Sequence, residues 1–286
     1  DSASRGLGDV YKRQVHKQVW NPDLVDIIMI RENTEGLYHS LLRRMEQRAL
    51  GKKDEPIVIE EFPGLDGEVA WDPRPISRDG SERVIRFAFD YAKHRQRKMG
   101  VSQSVTCVDK SNVTRGCQLF RKIFREFAER NQDIMVKEAY IDAFTMWLVR
   151  NPEDLDVVVL PNMFGDIATD LASVLQGGMG MSASANMGPK HMLFEPVHGS
   201  SPKHAGKNVV NPIAMIQSVQ MMFEALAFRK KDQNLDTCAE ILQSAIQKHF
   251  EEGGIVTYDL GGTASTSEVG QAIAFRCESM LKERFP

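Results

Sequence analysis

Long hydrophobic runs are missing from this chain. No apolar stretch approaches the roughly 18 residues that cross a bilayer, and nothing resembles a secretory signal, so a soluble, cytoplasmic protein without a membrane partner is expected. Cysteine is scarce: Cys107, Cys117, Cys238 and Cys277 lie far apart with no C-x-x-C pair, which excludes the spacing of a zinc finger or a disulfide framework. Reduced thiols of this kind suit a cytosolic enzyme. A strong charge of either sign is also lacking, since 36 Lys+Arg against 39 Asp+Glu leave a net −3 with the basic residues spread along the chain. Nucleic acid is therefore not an expected partner. No G-x-G-x-x-G follows a strand, which excludes the usual dinucleotide phosphate loop. What is present is an ordinary globular composition, 42% hydrophobic and 26% charged over 286 residues, enough for one large or two moderate domains.

The opening residues 1–14, DSASRGLGDVYKRQ, have no helical or strand periodicity and no turn logic connecting them to the next segment. They resemble translated adapter sequence and are set apart as non-native, with native-looking sequence starting at Val15. From there DIIMI (26–30) has the length of a strand and runs into the polar RENTEG (31–36). Residues 43–56 are charged and read as exposed, IVIEEF (57–62) as a strand, and PGLDGEVAWDPRPIS (63–77) as a loop. SERVIRFAFDYAKHRQRK (81–98) reads as a helix capped by Ser81, with basic residues in its last turns that complement the dipole.

Three strand-to-helix units come next. SVTCVDK (104–110) leads into a helix over 112–130 with Val113, Cys117, Phe120, Phe124 and Phe127 on one face. IMVKEAY (134–140) leads into IDAFTMWLVR (141–150), and DVVVLPN (156–162) into a helix capped by Asn162. The alternation predicts an α/β fold, in which ligands gather outside the carboxyl ends of the strands. Lys110, Asp142 and Asp166 all fall just past such ends.

The last of these helices, PNMFGDIATDLASVLQGG (161–178), carries an apolar stripe of Phe164, Ile167, Leu171, Val174 and Leu175, expected to face the core. Met163, Asp166, Asp170 and Ser173 form a separate stripe. Like charges at i and i+4 cost a few tenths of a kcal/mol unless a cation sits between them. Two carboxylates one turn apart, with Asp142 as a third, suit a hard divalent cation that takes oxygen ligands. The Gly/Ser/Ala-rich QGGMGMSASANMG (176–188) reads as a hinge for closure motion.

RENTEGLY (31–38), VDKSNV (108–113), YIDAF (140–144), NMFGDIATDLAS (162–173), FEPVHGSSPKHAGK (194–207) and NP (211–212) resemble, in order, the isocitrate and isopropylmalate dehydrogenase family. The resemblance runs from about Asp26 to GTASTSEVGQAI (262–273). It implies metal-dependent, β-decarboxylating oxidation of a hydroxy acid on a two-domain α/β fold. Residues 15–177 would be the small substrate, metal and dimerisation domain, and 178–286 the C-terminal part of the large cofactor domain. By the same resemblance Arg31 grips a substrate carboxylate, Tyr38 protonates carbon after CO₂ leaves, and Lys110 takes the hydroxyl proton. Asp142, Asp166 and Asp170 match the ligands of Mg²⁺ or Mn²⁺. In the family Lys110 and Asp142 reach a neighbouring subunit's site, which implies a homodimer with shared active sites.

The family's cofactor segment matches HGSSPKHAGKNVVNP (198–212), so His198, Gly199, Ser200, Lys203, His204 and Asn211 are implied as NAD(P)-binding residues, with Tyr258. Where NAD users carry an acid, this chain has Lys203 followed by His204, which favours NADP because a cation suits a 2′-phosphate. The arginine that some NADP-dependent relatives place four residues after the matching tyrosine is Gly262 here. RENTEG is closer to isocitrate, homoisocitrate and tartrate or malate users than to isopropylmalate users, and isocitrate is the expected substrate. A non-catalytic regulatory subunit is the competing role, disfavoured because every matched catalytic and metal residue is present. The glycine-rich turn and the carboxylate-binding arginines that precede this block in the family have no match in residues 1–25, so the resemblance implies an N-terminally truncated chain lacking much of the large domain.

Overall fold

The computed structural model describes residues 24–51, 72–99 and 104–284. Residues 1–14, the strand expected at 57–62 and the first part of the 63–77 loop lie outside the described residues; 72–77 have no regular structure. Two compact units are present, one up to Thr169 and one from Asp170 onward.

The first unit is built on a parallel sheet of β1 (Ile28–Arg31), β2 (Ser104–Asp109), β3 (Met135–Tyr140) and β4 (Val157–Leu160), in the order β1-β4-β2-β3. Every residue of β2 and β4 is buried, which is why β4 reads as the unbroken apolar run VVVL, while β2, SVTCVD, also buries Ser104, Thr106 and Asp109. Arg31 pairs with Leu160 and Asp109 with Tyr140, so the strands end together at one edge. Helices α1 (Tyr38–Ala49), α2 (Arg78–Met99), α3 (Arg115–Arg130), α4 (Ile141–Arg150) and α5 (Asn162–Ser173) accompany them. Ile85, Phe89 and Ala92 of α2 meet Phe120, Ile123 and Phe124 of α3 over Val105, Cys107, Val157 and Val159 of the sheet. Phe89 and Phe124 pack with ring centroids 5.5 Å apart.

Several local expectations are corrected. The helix expected from Ser81 starts at Arg78, because Ser77 supplies the cap: its Oγ accepts from the Gly80 N–H at 3.0 Å. Ser81 is buried inside the helix and donates to the Ser77 carbonyl at 2.6 Å. Val113 does not join the α3 face, since it precedes the N-cap Thr114 and is 67% exposed; Ile123 takes the buried place beside Cys117, Phe120 and Phe124. Part of the charged stretch after residue 43 is helical, within α1. Asn162 does not cap α5: the Pro161 carbonyl accepts from the Gly165 N–H at 2.9 Å, and the Asn162 side chain is engaged elsewhere. The stripe on α5 is also different, because Phe164 and the small Ala168 are buried while Ile167 and Val174 are 53% and 68% exposed.

On β3, Glu138 receives Arg125 in a two-pronged pair, Nε and Nη2 each at 2.7 Å. That hydrogen bonding, helped by the charges of Arg125 and Arg121, holds the Glu138 carboxyl below its ordinary value. A depressed folded-state value contributes stability above the unfolded-state value and loses it as pH falls through the folded one. Arg125→Met is therefore expected to cost about 0.5 kcal/mol at neutral pH, discounted for solvent screening of a surface pair, and little once Glu138 is protonated. Urea unfolding at neutral and at strongly acidic pH measures both; an equal loss at each pH would remove the ionic explanation.

The second unit has an antiparallel pair, β5 (Ala183–Met187) and β6 (Met192–Pro196), with helices α6 (Ile213–Lys230), α7 (Gln233–Glu251) and α8 (Thr266–Arg284). Asp232 caps α7, its carboxylate accepting from the Asn234 N–H at 2.9 Å. The core gathers Met181, Ile213, Ala245, Ile246, Val269 and Ile273. No helix among the described residues is long and apolar enough to cross a membrane.

Candidate active site

The pairing of β1 with β4 makes the chain leaving β1 a neighbour of the helix that follows β4. Arg31 is the last residue of β1, Tyr38 the first of α1, and Asp166 lies in the second turn of α5. Arg31 Nη1 meets Asp166 Oδ1 at 2.5 Å, and the Tyr38 hydroxyl donates to Asp166 Oδ2 at 2.6 Å. The guanidinium also lies 5.3 Å from the centroid of the Tyr38 ring. The Asp166 carboxylate that accepts its proton, together with desolvation, pushes the Tyr38 phenol above its ordinary value.

A second group forms past β2 and β3. Lys110 Nζ donates to Asp142 Oδ1 at 2.6 Å, and this bond holds the Asp142 carboxyl below its ordinary value. Beneath it the fully buried Asp109 accepts from Arg121 Nε at 2.8 Å and from the Ser111 N–H at 2.7 Å, fixing the backbone around Lys110.

Asp170 is exposed one turn after Asp166 on α5. Among the described residues no three His, Cys, Asp or Glu side chains converge, so a single chain does not bring Asp142 to Asp166 and Asp170. The donor set itself, carboxylate oxygens only, has the hardness that Mg²⁺ or Mn²⁺ requires, and two of the three are spaced to share one ion.

In the second unit, Pro202–His204 form a short 3-10 turn entered by Ser201 at φ 44°. His204 Nδ1 and Ser201 Oγ share a hydrogen bond of 2.7 Å, and the His204 ring stacks on Tyr258 with centroids 6.0 Å apart. Lys203, Gly199 and Ser200 are exposed beside them in sequence, and His198 Nδ1 lies 2.9 Å from the Gly199 carbonyl. Buried Asn211 accepts from the N–H of Ile213, the first residue of α6, at 3.0 Å and donates to Asp259, the residue after Tyr258, at 3.1 Å. A Cβ at Gly262 would run into the Val256 carbonyl oxygen, so the backbone there admits no arginine.

Reading the sequence missed Asn162, Gly165 and Glu35. Asn162 Oδ1 accepts from Arg31 Nε at 2.9 Å and Nη2 at 2.8 Å, while its Nδ2 donates to the Glu35 carbonyl at 2.9 Å. The Glu35 carboxylate in turn accepts from the Ser77 N–H at 2.8 Å and pairs with the Ser77 hydroxyl. The available signal was spacing: Asn162 and Gly165 lie three apart, hence on one helix face, directly before Asp166.

The parallel sheet carries Arg31, Tyr38, Lys110, Asp142 and Asp166 at or past its carboxyl ends, where open α/β sheets gather ligands. Known proteins make this specific. The sequence pattern of the family described as isocitrate/isopropylmalate dehydrogenase matches residues 8–273. The homoisocitrate dehydrogenase of Methanocaldococcus jannaschii is 37% identical over 97% of this chain and 70% of its own length. The 3-isopropylmalate/3-methylmalate dehydrogenase of the same organism is 39% identical over 89% of this chain and 68% of its own. The crystal structure of isocitrate dehydrogenase from Methylococcus capsulatus superposes with a TM-score of 0.72 at 35% identity, over 88% of this chain and 67% of that one. The chain belongs to the isocitrate/isopropylmalate dehydrogenase family. It is thus of the class of NAD(P)-dependent, β-decarboxylating oxidoreductases that act on a CH–OH group.

Proposed function

We propose that the protein, as a homodimer with shared sites, oxidatively decarboxylates a 2-hydroxy di- or tricarboxylic acid, isocitrate to 2-oxoglutarate first among them, with NADP preferred to NAD. The observation that carries the reading is the meeting of Arg31, Tyr38 and Asp166 at the ends of two paired parallel strands. Arg31 binds a substrate carboxylate. Lys110 removes the proton from the substrate hydroxyl, Tyr38 delivers a proton to carbon after CO₂ departs, and a nicotinamide cofactor would accept the hydride. Asp142, Asp166 and Asp170 would hold Mg²⁺ or Mn²⁺, which polarises the new carbonyl and steadies the negative charge that develops as CO₂ leaves. The absence of a three-carboxylate cluster among the described residues of one chain supports Asp142 and Lys110 serving the site of a second copy. The stacking of His204 on Tyr258, with Lys203 exposed on the same turn, supports a site for a phosphorylated ribose, and the cation at Lys203 supports NADP.

The three relatives act, by their names, on homoisocitrate, on 3-isopropylmalate and 3-methylmalate, and on isocitrate. The test is therefore a panel: reduction of NADP and of NAD with Mn²⁺ against isocitrate, homoisocitrate, 3-isopropylmalate, malate and tartrate. The expected result is fastest NADP reduction with isocitrate and none after EDTA. Substrate binding without turnover on any of the five would replace the enzyme reading by a regulatory subunit.

A further inference from the structure

Arg31 is held from two directions by one turn of one helix. Its head is fixed by Asn162, which is 2% exposed and whose Oδ1 accepts from Nε and Nη2 together. These two nitrogens form the side edge of the guanidinium, so that edge is closed to any other acceptor. Its aliphatic stem passes over Gly165: a Cβ there would stand 2.6 Å from Arg31 Cγ and 2.8 Å from its Cβ. The other arm of Asn162 reaches the Glu35 carbonyl, three residues before Tyr38. The same side chain therefore ties the arginine to the loop that delivers the tyrosine.

We infer that Asn162 is a positioning residue, with Gly165 as its steric counterpart, that closes the side edge of Arg31 and so leaves the substrate carboxylate to approach the outer edge, where Nη1 meets Asp166 Oδ1 at 2.5 Å and the carboxylate must share or displace that contact. The inference rests on the reading of Arg31 as the carboxylate-binding group. Asn162 itself touches neither substrate nor cofactor; it acts through the orientation of the fork. A fork free to rotate offers either edge and aligns the hydroxy acid poorly, so the loss falls on substrate binding.

Asn162→Leu keeps the volume and removes all three side-chain hydrogen bonds, whereas Asn162→Asp keeps the acceptor for Arg31 and loses only the donor to the Glu35 carbonyl. Asn162→Leu is expected to raise KM for the hydroxy acid about 10- to 100-fold, the usual effect of removing a partner that orients a ligating group, with kcat changed much less and KM for NADP unchanged. Asn162→Asp should recover most of that loss. A purely structural role predicts instead that both KM values and kcat decline together and that aspartate rescues nothing. Gly165→Ala, which leaves every polar group in place, should reproduce the substrate KM rise by displacing the Arg31 stem, and it serves if the leucine variant does not fold. A readout independent of turnover is the ¹⁵N resonance of Arg31 Nε–H, assigned by its loss in Arg31→Lys. It should exchange slowly with water in the wild type and in Asn162→Asp, and rapidly in Asn162→Leu and Gly165→Ala. Equal exchange in all of them, or a substrate KM within twofold of wild type in both Asn162→Leu and Gly165→Ala, overturns the inference. Wild-type protein that shows the exchange pattern but no turnover leaves the clamp standing and removes the catalytic reading instead.

Discussion

Asp166→Asn is expected to lower kcat/KM by about 10³-fold, because several kcal/mol of charge stabilisation depends on that carboxylate and each 1.36 kcal/mol is a factor of ten. The size reflects how many groups meet there. Asp166 takes Arg31 on one oxygen and the Tyr38 hydroxyl on the other, and it is one of the two adjacent carboxylates on α5 proposed to hold the cation. The amide keeps the shape and one acceptor but loses the charge. Tyr38 supplies a second readout. Its phenol lies above the ordinary tyrosine value mainly through the Asp166 hydrogen bond, so the variant should ionise at lower pH in an alkaline absorbance titration. A raised folded-state value contributes stability below the unfolded-state value, and that contribution is lost as pH climbs through the folded one. Asp166→Asn should therefore also flatten the decline in stability at alkaline pH. Activity within tenfold of wild type would sink the proposed metal site, and an unmoved Tyr38 titration would sink the coupling.

Equal mixing of two inactive chains, Lys110→Met and Tyr38→Phe, after joint unfolding and refolding, should restore activity to about a quarter of wild type. Random pairing makes half of the dimers mixed, and two-fold symmetry leaves one intact site in each. Each variant alone should fall by about 10² or more, the usual contribution of a positioned acid or base. The strand order β1-β4-β2-β3 is the physical basis. Arg31, Tyr38 and Asp166 follow β1 and β4 at one side of the sheet, while Lys110 and Asp142 follow β2 and β3 at the other. On the proposed reading one chain carries two incomplete halves of a reaction centre. A mixture no more active than its parents would mean that each chain completes its own site, or that chains do not pair.

Much of this was legible because the central strands are buried on both faces. β4 appears in the sequence as a continuous apolar run and β2 as a short β-branched one, and each leads within a few residues into a helix, which is why the parallel architecture and the chemistry at the strand ends could be read together. What misled was periodicity at helix ends. Val113 continues the 3.6-residue pattern of α3 but lies before Thr114, where the backbone is extended, so its side chain leaves the face. Ser81 and Asn162 both have the chemistry of a cap, yet Ser77 and the Pro161 carbonyl do that work, since the helix start is decided by where the preceding backbone turns. The clamp on Arg31 was invisible for a different reason: Asn162 and Arg31 are 131 positions apart, and only the β1–β4 pairing brings them together. The stacking of His204 on Tyr258 is likewise set by tertiary contact, although each residue taken singly is a candidate cofactor ligand.

The missing side chain at Gly165 has a consequence for how this sequence can drift. The space above that glycine is filled by the stem of Arg31, so the two positions share one volume. Alanine at 165 beside the arginine is a clash, and because the Arg31 Cβ itself would stand 2.8 Å from the added carbon, a shorter residue at 31 relieves only part of it. Selection that holds the end of β1 in this place therefore holds the glycine, and exchanging the arginine for a shorter side chain does not by itself release it. In an alignment of descendants glycine at 165 should outlast changes at 31, and a side chain at 165 would mark chains in which the end of β1 and the first turn of α5 have moved apart.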